Sequence, residues 1–262
     1  MMKKLIYILM LLLPTAAAAQ SSGVRTSVSA DWKIEKGLHM TVEEELRMDG
    51  MFKSMDRLQT TVGLDIKATD FLKVGAGYAL INSFDADDRL FKNPRHRFYV
   101  DGKLHYNLNG FDFSLKERVQ FTHRTGSFNV YQNTPNLVGL KTRLGVEYKG
   151  WKRVQPGLFF EMRTQLNAPW GSTSGSVQTK KDGTTYYAYT PAGYTHAYND
   201  RYRGILRADI KLNKHHVLRP YVLLDYVSEY VLDTNAEGTR LFSAAYNNYF
   251  KTSICLAYTF KF

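Results

Sequence analysis

The chain has 262 residues, 44% of them hydrophobic and 14% aromatic, with a formal net charge of +11 and one cysteine. That length suits one large domain or two small ones, and a lone cysteine excludes an intramolecular disulfide. Mean hydropathy is −0.35, and beyond the N-terminus no apolar run reaches the ~18 residues of a helical membrane span.

The first residues, MMKKLIYILMLLLPTAAAAQ, divide into a positive start at Lys3 and Lys4, an apolar stretch from Leu5 to Leu13, and small residues at Ala17 to Ala19. The apolar stretch is too short to cross a bilayer, so the pattern predicts a secretory signal over 1–19, cut before Gln20. Residues 20–262 are then the exported domain. Taking Lys3 and Lys4 from the 35 basic residues leaves 33 against 24 acidic ones, a balance of +9. In an exported protein that charge points to outer-membrane lipid and lipopolysaccharide phosphates, with no nucleic acid as partner. No cysteine stands near the cleavage site to carry a lipid anchor.

From Val24 the hydropathy pattern has a period of two. Val24, Val28, Ala30, Trp32 and Ile34 alternate with Arg25, Ser27, Ser29, Asp31, Lys33 and Glu35. The alternation returns from Leu58 to Ala68, Leu72 to Leu80, Phe98 to Leu108, Phe111 to Phe121, Leu140 to Tyr148, Leu158 to Leu166, Tyr202 to Leu212, Val222 to Tyr230 and Phe250 to Phe262. Helical spacing is nowhere sustained, so the fold class is all-β. The runs reach ten residues or more, the length a tilted strand needs to cross a bilayer, and their apolar faces carry aromatics at both ends. Short connections at 36–37, 69–70, 109–110, 150–151 and 213–214 alternate with longer ones at 50–56, 85–94, 125–137, 168–200 and 231–247. Together these features predict a single antiparallel transmembrane β-barrel in the outer membrane, with short periplasmic turns and longer extracellular loops.

The strand count is about eleven, and bacterial single-chain barrels have even numbers. Either a further strand lies within Thr184–Tyr198, giving twelve, or segment 24–35 stays out of the wall, giving ten. Glu44 and Glu117 fall on the apolar phase, which predicts a bulge or a place near the interface. Pro156 and Pro220 lie near strand starts, where a missing ladder bond is tolerated. The chain closes on AYTFKF, with Tyr258, Phe260 and Phe262 on one face. That ending resembles the signature read by the outer-membrane assembly machinery, with Ala257 where glycine is frequent.

The order of features is similar to the outer-membrane barrel family catalogued as domain of unknown function 2490. The similar stretches are EEELR at 43–47, DRL at 56–58, VGAGYAL at 74–80, RHRFYVD at 95–101, LKERVQF at 115–121 and the closing AYTFKF. The resemblance implies an integral outer-membrane barrel and brings no activity and no catalytic residues.

The inward phase is charged. Acidic residues gather early, at Asp31, Glu35, Glu43, Glu45 and Asp49; basic ones follow at Arg97, Lys103, Lys116, Arg118, Lys141, Arg143, Arg163, Arg203, Arg207 and Lys211. They predict either a salt-bridged filling of the lumen or a basic lining that draws small anions. A second candidate is His123 with Thr125 or Ser127 in FTHRTGS, a base beside a hydroxyl as in lipid ester hydrolysis. It resembles the His-x-Ser arrangement of lipid A deacylases, with Thr125 in place of serine and no carboxylate evident to orient His123. His215-His216 points to opposite faces, a poor metal spacing, and no cofactor is expected. Segment 168–200, with Tyr186, Tyr187, Tyr189, Tyr194 and Tyr198, is a candidate binding loop. The expected function is a non-enzymatic barrel, structural or an anion-leaning pore, with oligomeric state left open. The alternatives are an outer-leaflet lipid hydrolase and a surface-binding barrel.

Overall fold

The computed structural model describes residues 20–85 and 88–262; the expected signal at 1–19 lies outside them. Eleven strands follow one another: β1 (Ser21–Glu35), β2 (Leu38–Asp49), β3 (Ser54–Lys67), β4 (Leu72–Asp85), β5 (Leu90–Leu108), β6 (Phe111–Arg124), β7 (Asn136–Tyr148), β8 (Val154–Thr179), β9 (Thr185–Lys211), β10 (His216–Thr234) and β11 (Arg240–Lys261). Each pairs with its neighbour in sequence, and β1 pairs with β11 to close a barrel.

The strands pair antiparallel throughout except at the closing seam. With an odd number of strands, the first and last run the same way. Accordingly β1 joins β11 in parallel, from Ser21 opposite Lys251 to Asp31 opposite Lys261. Slanted parallel bonds still satisfy both edges, so no strand edge is left open. Neither adjustment of the count is needed. Segment 24–35 is wall, and Thr184–Tyr198 belongs almost wholly to the outer part of β9.

One end of the barrel carries the short turns and Phe262; the other carries the longer connections and Ser21. At the turn end, the Phe262 amide donates to the Asp31 carbonyl at 2.9 Å, and its ring stacks on Trp32 at 5.0 Å. Phe260 packs edge-on against Phe262 and also meets His215 and His216. The last residue is therefore held by both backbone and ring. Phe111, Tyr148 and Trp151 continue this aromatic band. Tyr78 with Phe98, and Phe84 with Phe91, form its counterpart toward the loop end. Between the bands the outward face is aliphatic and open: Val28 is 60% exposed and Val100 65%.

Two expected loops are largely strand. Instead of spanning 168–200 and 231–247, the connections shrink to the residues between Thr179 and Thr185 and between Thr234 and Arg240. These strand extensions show no sustained apolar/polar alternation, yet their backbones still pair. Register shifts recur along β8 and β9 there, where the side-chain pattern has no regular period to fix the pairing. The extensions bring Tyr189, Leu232 and Leu241 into a small core of their own, with Tyr230 against it.

Glu44 and Glu117 are also corrected. No register shift occurs at either, and both lie mid-strand on the outward phase. Glu117 accepts a hydrogen bond from Thr142 Oγ1 at 2.9 Å, which partly satisfies it there. Pro156 lies beyond the β7 ladder and the β9–β10 register skips Arg219 and Pro220, while Pro156 pairs with Ala208 of β9 and Pro220 with Leu256 of β11.

Candidate functional site in the lumen

The pleat sends every second side chain inward, and the lumen is packed by two repeated devices. Tyr99 on β5 lies over Gly63 and Gly77, which face each other across β3 and β4; a Cβ on either would meet its phenol within 2.8 Å. Arg118 caps the Tyr99 ring at 3.8 Å. Across the barrel Phe159 occupies the space above Gly145 and Gly157, and Arg207 lies 4.3 Å from its ring centre. Phe159 also joins Ile205, Leu223 and Cys255, with Tyr221 against them, in an apolar cluster on the inner wall. This apolar patch stands beside the charged side chains expected on the inner wall.

Most of the expected basic residues point inward and are tied to carboxylates. Arg118 donates to Asp101 at 2.8 and 2.5 Å, and Lys116 lies 3.0 Å from the same carboxyl. Arg143 holds Glu161 through Nε at 2.9 Å. Arg163 grips Asp200 at 2.6 and 2.5 Å, and Arg207 donates to Glu147 at 2.7 Å. Arg203 donates to Asp225 at 2.6 and 2.9 Å and lies 3.5 Å from Glu161. Others have no such partner. Among the described residues, Arg97 donates to the Thr122 hydroxyl at 3.0 Å and to no carboxylate. Lys103 stands opposite Lys116, and among the described residues neither Lys103 nor Lys141 has a carboxylate oxygen within bonding distance of its ammonium. Lys211 is exposed at the turn end.

The expected acidic residues do not form one cluster. Asp31 meets His39 at 3.1 Å, Glu45 accepts from Arg47 at 2.5 Å, and Asp49 holds Lys251 at 2.5 Å. Glu43 stands between Ser29 and Thr61, and Glu35 is exposed at the turn end. The carboxylates that neutralise the basic half are Asp101, Glu147, Glu161, Asp200 and Asp225, which the early-acidic, late-basic reading passed over. Four of these lie on the same alternating phase as the arginines they hold, so the period carried the signal. Asp200 sits at a register shift between Arg163 and Thr164, where the period fails.

Lys116, Arg118, Lys141, Arg143 and Glu161 surround a cavity of about 140 Å³ inside the barrel. The loop end above the lumen is crossed by residues 125–135. Asn129 donates to the carbonyls of Thr234 and Asn235 at 3.3 and 3.1 Å, and Gln132 donates to Thr234 at 3.0 Å. Tyr194 adds a bond to the Val130 carbonyl at 3.0 Å. These contacts join the β6–β7 and β10–β11 connections, four strands apart in the wall.

His123 lies outside, at the loop end, where its Nδ1 is 2.8 Å from the Asn136 amide oxygen. The Thr125 hydroxyl donates to the Pro94 carbonyl at 2.5 Å, and Ser127 is exposed. Thus an amide, not a carboxylate, orients His123. His215 bonds the Lys261 carbonyl at 2.7 Å and His216 the Tyr258 hydroxyl. Of the tyrosines in 168–200, Tyr198 joins Trp170, His196, Tyr230 and Tyr246 in an aromatic group; Trp170 and His196 stack at 4.6 Å.

The model of a family described as protein of unknown function (DUF2490) matches residues 23–230. No curated protein matches the chain.

Proposed function

The chain belongs to the DUF2490 family, whose description carries no activity, and from the barrel itself we propose an integral outer-membrane protein without enzymatic activity. Its lumen is filled by ion pairs and inward rings, and passes at most small anions. The observation that carries this reading is the inside-out distribution of polarity. An aliphatic outer wall between two aromatic bands suits a hydrocarbon slab, since a water-soluble barrel would bury that surface. Charged residues occupy the interior instead, where most are paired.

In this reading Phe262 and the short turns face the periplasm, with Tyr258, Phe260 and Phe262 presented to the assembly machinery. Parallel closure then sets Ser21 at the outer rim, where the Ser22 carbonyl accepts from Gly50 at 2.9 Å. The membrane partners are lipid and lipopolysaccharide, drawn by the basic surplus.

Conductance of the refolded barrel in a planar bilayer tests the reading. A low conductance that favours anions, or a folded barrel with none, is expected. A large, unselective conductance would overturn the filled lumen. Lipid-ester cleavage by the purified barrel that disappears in His123→Ala would overturn the absence of enzymatic activity.

A further inference from the structure

Four cations stand at the corners of a square on two adjacent strands. In the β6–β7 register Lys116 is opposite Arg143 and Arg118 is opposite Lys141, all on the inward phase. Opposed Cβ atoms lie about 5 Å apart, and alternate residues of one strand about 7 Å apart. Like charges directly opposite repel across a ladder, so two such pairs side by side are an arrangement that needs a counter-charge. The neighbouring strands supply it only at the edges. On the β5 side Asp101 takes Lys116 and Arg118. On the β8 side Glu161 takes Arg143 but is shared with Arg203. Arg163, opposite Lys141 on β8, is committed to Asp200. Four cations thus share two carboxylates, one of them also held by Arg203, and Lys141 is bound to neither.

The space between these side chains is the cavity of about 140 Å³. A water molecule takes about 30 Å³ of liquid, so the cavity has room for an ion of several heavy atoms. Two ammonium groups and two guanidinium groups line it together with Glu161. Arg118 and Arg143 commit Nε and Nη2 to Asp101 and Glu161, so each has Nη1 left beside the two ammonium groups, a donor set that suits an anion with several oxygens. We propose that this square binds one small inorganic oxyanion of the phosphate class, with Lys141, Lys116, Arg118 and Arg143 as its donors. The site deepens the reading of the lumen as anion-attracting, yet binding requires no current.

Inorganic phosphate is titrated into the refolded barrel against chloride at equal ionic strength, with binding followed by calorimetry and by thermal shift. Lys141→Met is the informative variant, because it strands no carboxylate; Lys116→Met is the second, since Arg118 still holds Asp101. Lys211→Met, at the turn end, is the control, and heat-modifiable gel mobility checks that each variant is folded. Saturable phosphate binding that weakens at least tenfold in Lys141→Met, weakens in Lys116→Met and persists in Lys211→Met is expected. An equal response to chloride, or unchanged phosphate affinity in folded Lys141→Met, would overturn the site. Phosphate binding by a barrel that passes no current supports the site and removes the pore. Anion-selective current without phosphate binding removes the site and leaves the pore.

Discussion

Strands β2 to β7 and strands β8 to β11 close the same cylinder, but different forces hold them. The first group runs to 12–19 residues per strand, and its inner face is polar apart from Tyr99 seated on two glycines and the buried Ala79 and Ile81 of β4. The second runs to 19–27 residues and carries the apolar cluster of Phe159, Ile205, Leu223 and Cys255 inside the wall. Above it, where strands continue past the outer aromatic band, Tyr189, Leu232 and Leu241 form a second core. In the proposed membrane setting, a strand inside the bilayer needs only its ladder and a satisfied inner face, because lipid solvates the outer one. A strand that leaves the bilayer must bury apolar surface of its own.

The largest difference between the two sides is expected at their carboxylate hubs. Asp225 accepts both bonds from Arg203, and Arg25 lies 3.9 Å away, all of them buried. Asp225→Ala strands buried arginines and is expected to cost about 3–5 kcal/mol in urea unfolding of the refolded barrel. Asp56→Ala, on the other side, removes a partly exposed pair with Arg57 and is expected to cost under about 1 kcal/mol. Equal costs would break the contrast.

Next in size is the inner apolar cluster. Leu223→Ala is expected to lower unfolding free energy by about 2–5 kcal/mol. Val100→Ala, on the outward wall of the other side, should change it by less than about 1 kcal/mol. Replacing 172–187 with a tight turn removes the end of the tall extension but leaves the wall below it. Its expected effect is a drop in Tm of roughly 2–4 °C, read by differential scanning calorimetry.

The smallest effect belongs to the β3–β4 turn. The Lys67 ammonium, 2.6 Å from Asp70, holds that carboxyl below its ordinary range. A depressed carboxyl contributes stability above its unfolded pKa, near 4, and loses it as pH falls through the folded value. The stability gap between wild type and Asp70→Asn should therefore be small at neutral pH and shrink as pH falls below about 4, followed by urea midpoints across pH. A gap that widens on acidification would contradict the pairing.

The period of two, the short turns and the terminal aromatics were legible in the chain from Val24 to Phe262, because one face of each strand differs in polarity from the other. Most of the inward cations, and the carboxylates Asp101, Glu147, Glu161 and Asp225, follow from that same phase. The outer ends of β8 and β9, and β11 before Phe250, were not legible as strand, since Gly, Ser, Thr, Ala and Tyr follow one another there without a regular alternation. Alternation reports a difference in solvent, and there it vanishes while the ladder continues. Nor could the sequence decide how an odd number of strands closes. Parallel pairing of Ser21–Asp31 with Lys251–Lys261 depends on two segments about 230 residues apart meeting in one register. The cation square is likewise tertiary: periodicity places Lys116, Arg118, Lys141 and Arg143 on inner faces, but only the β6–β7 register sets like charge opposite like.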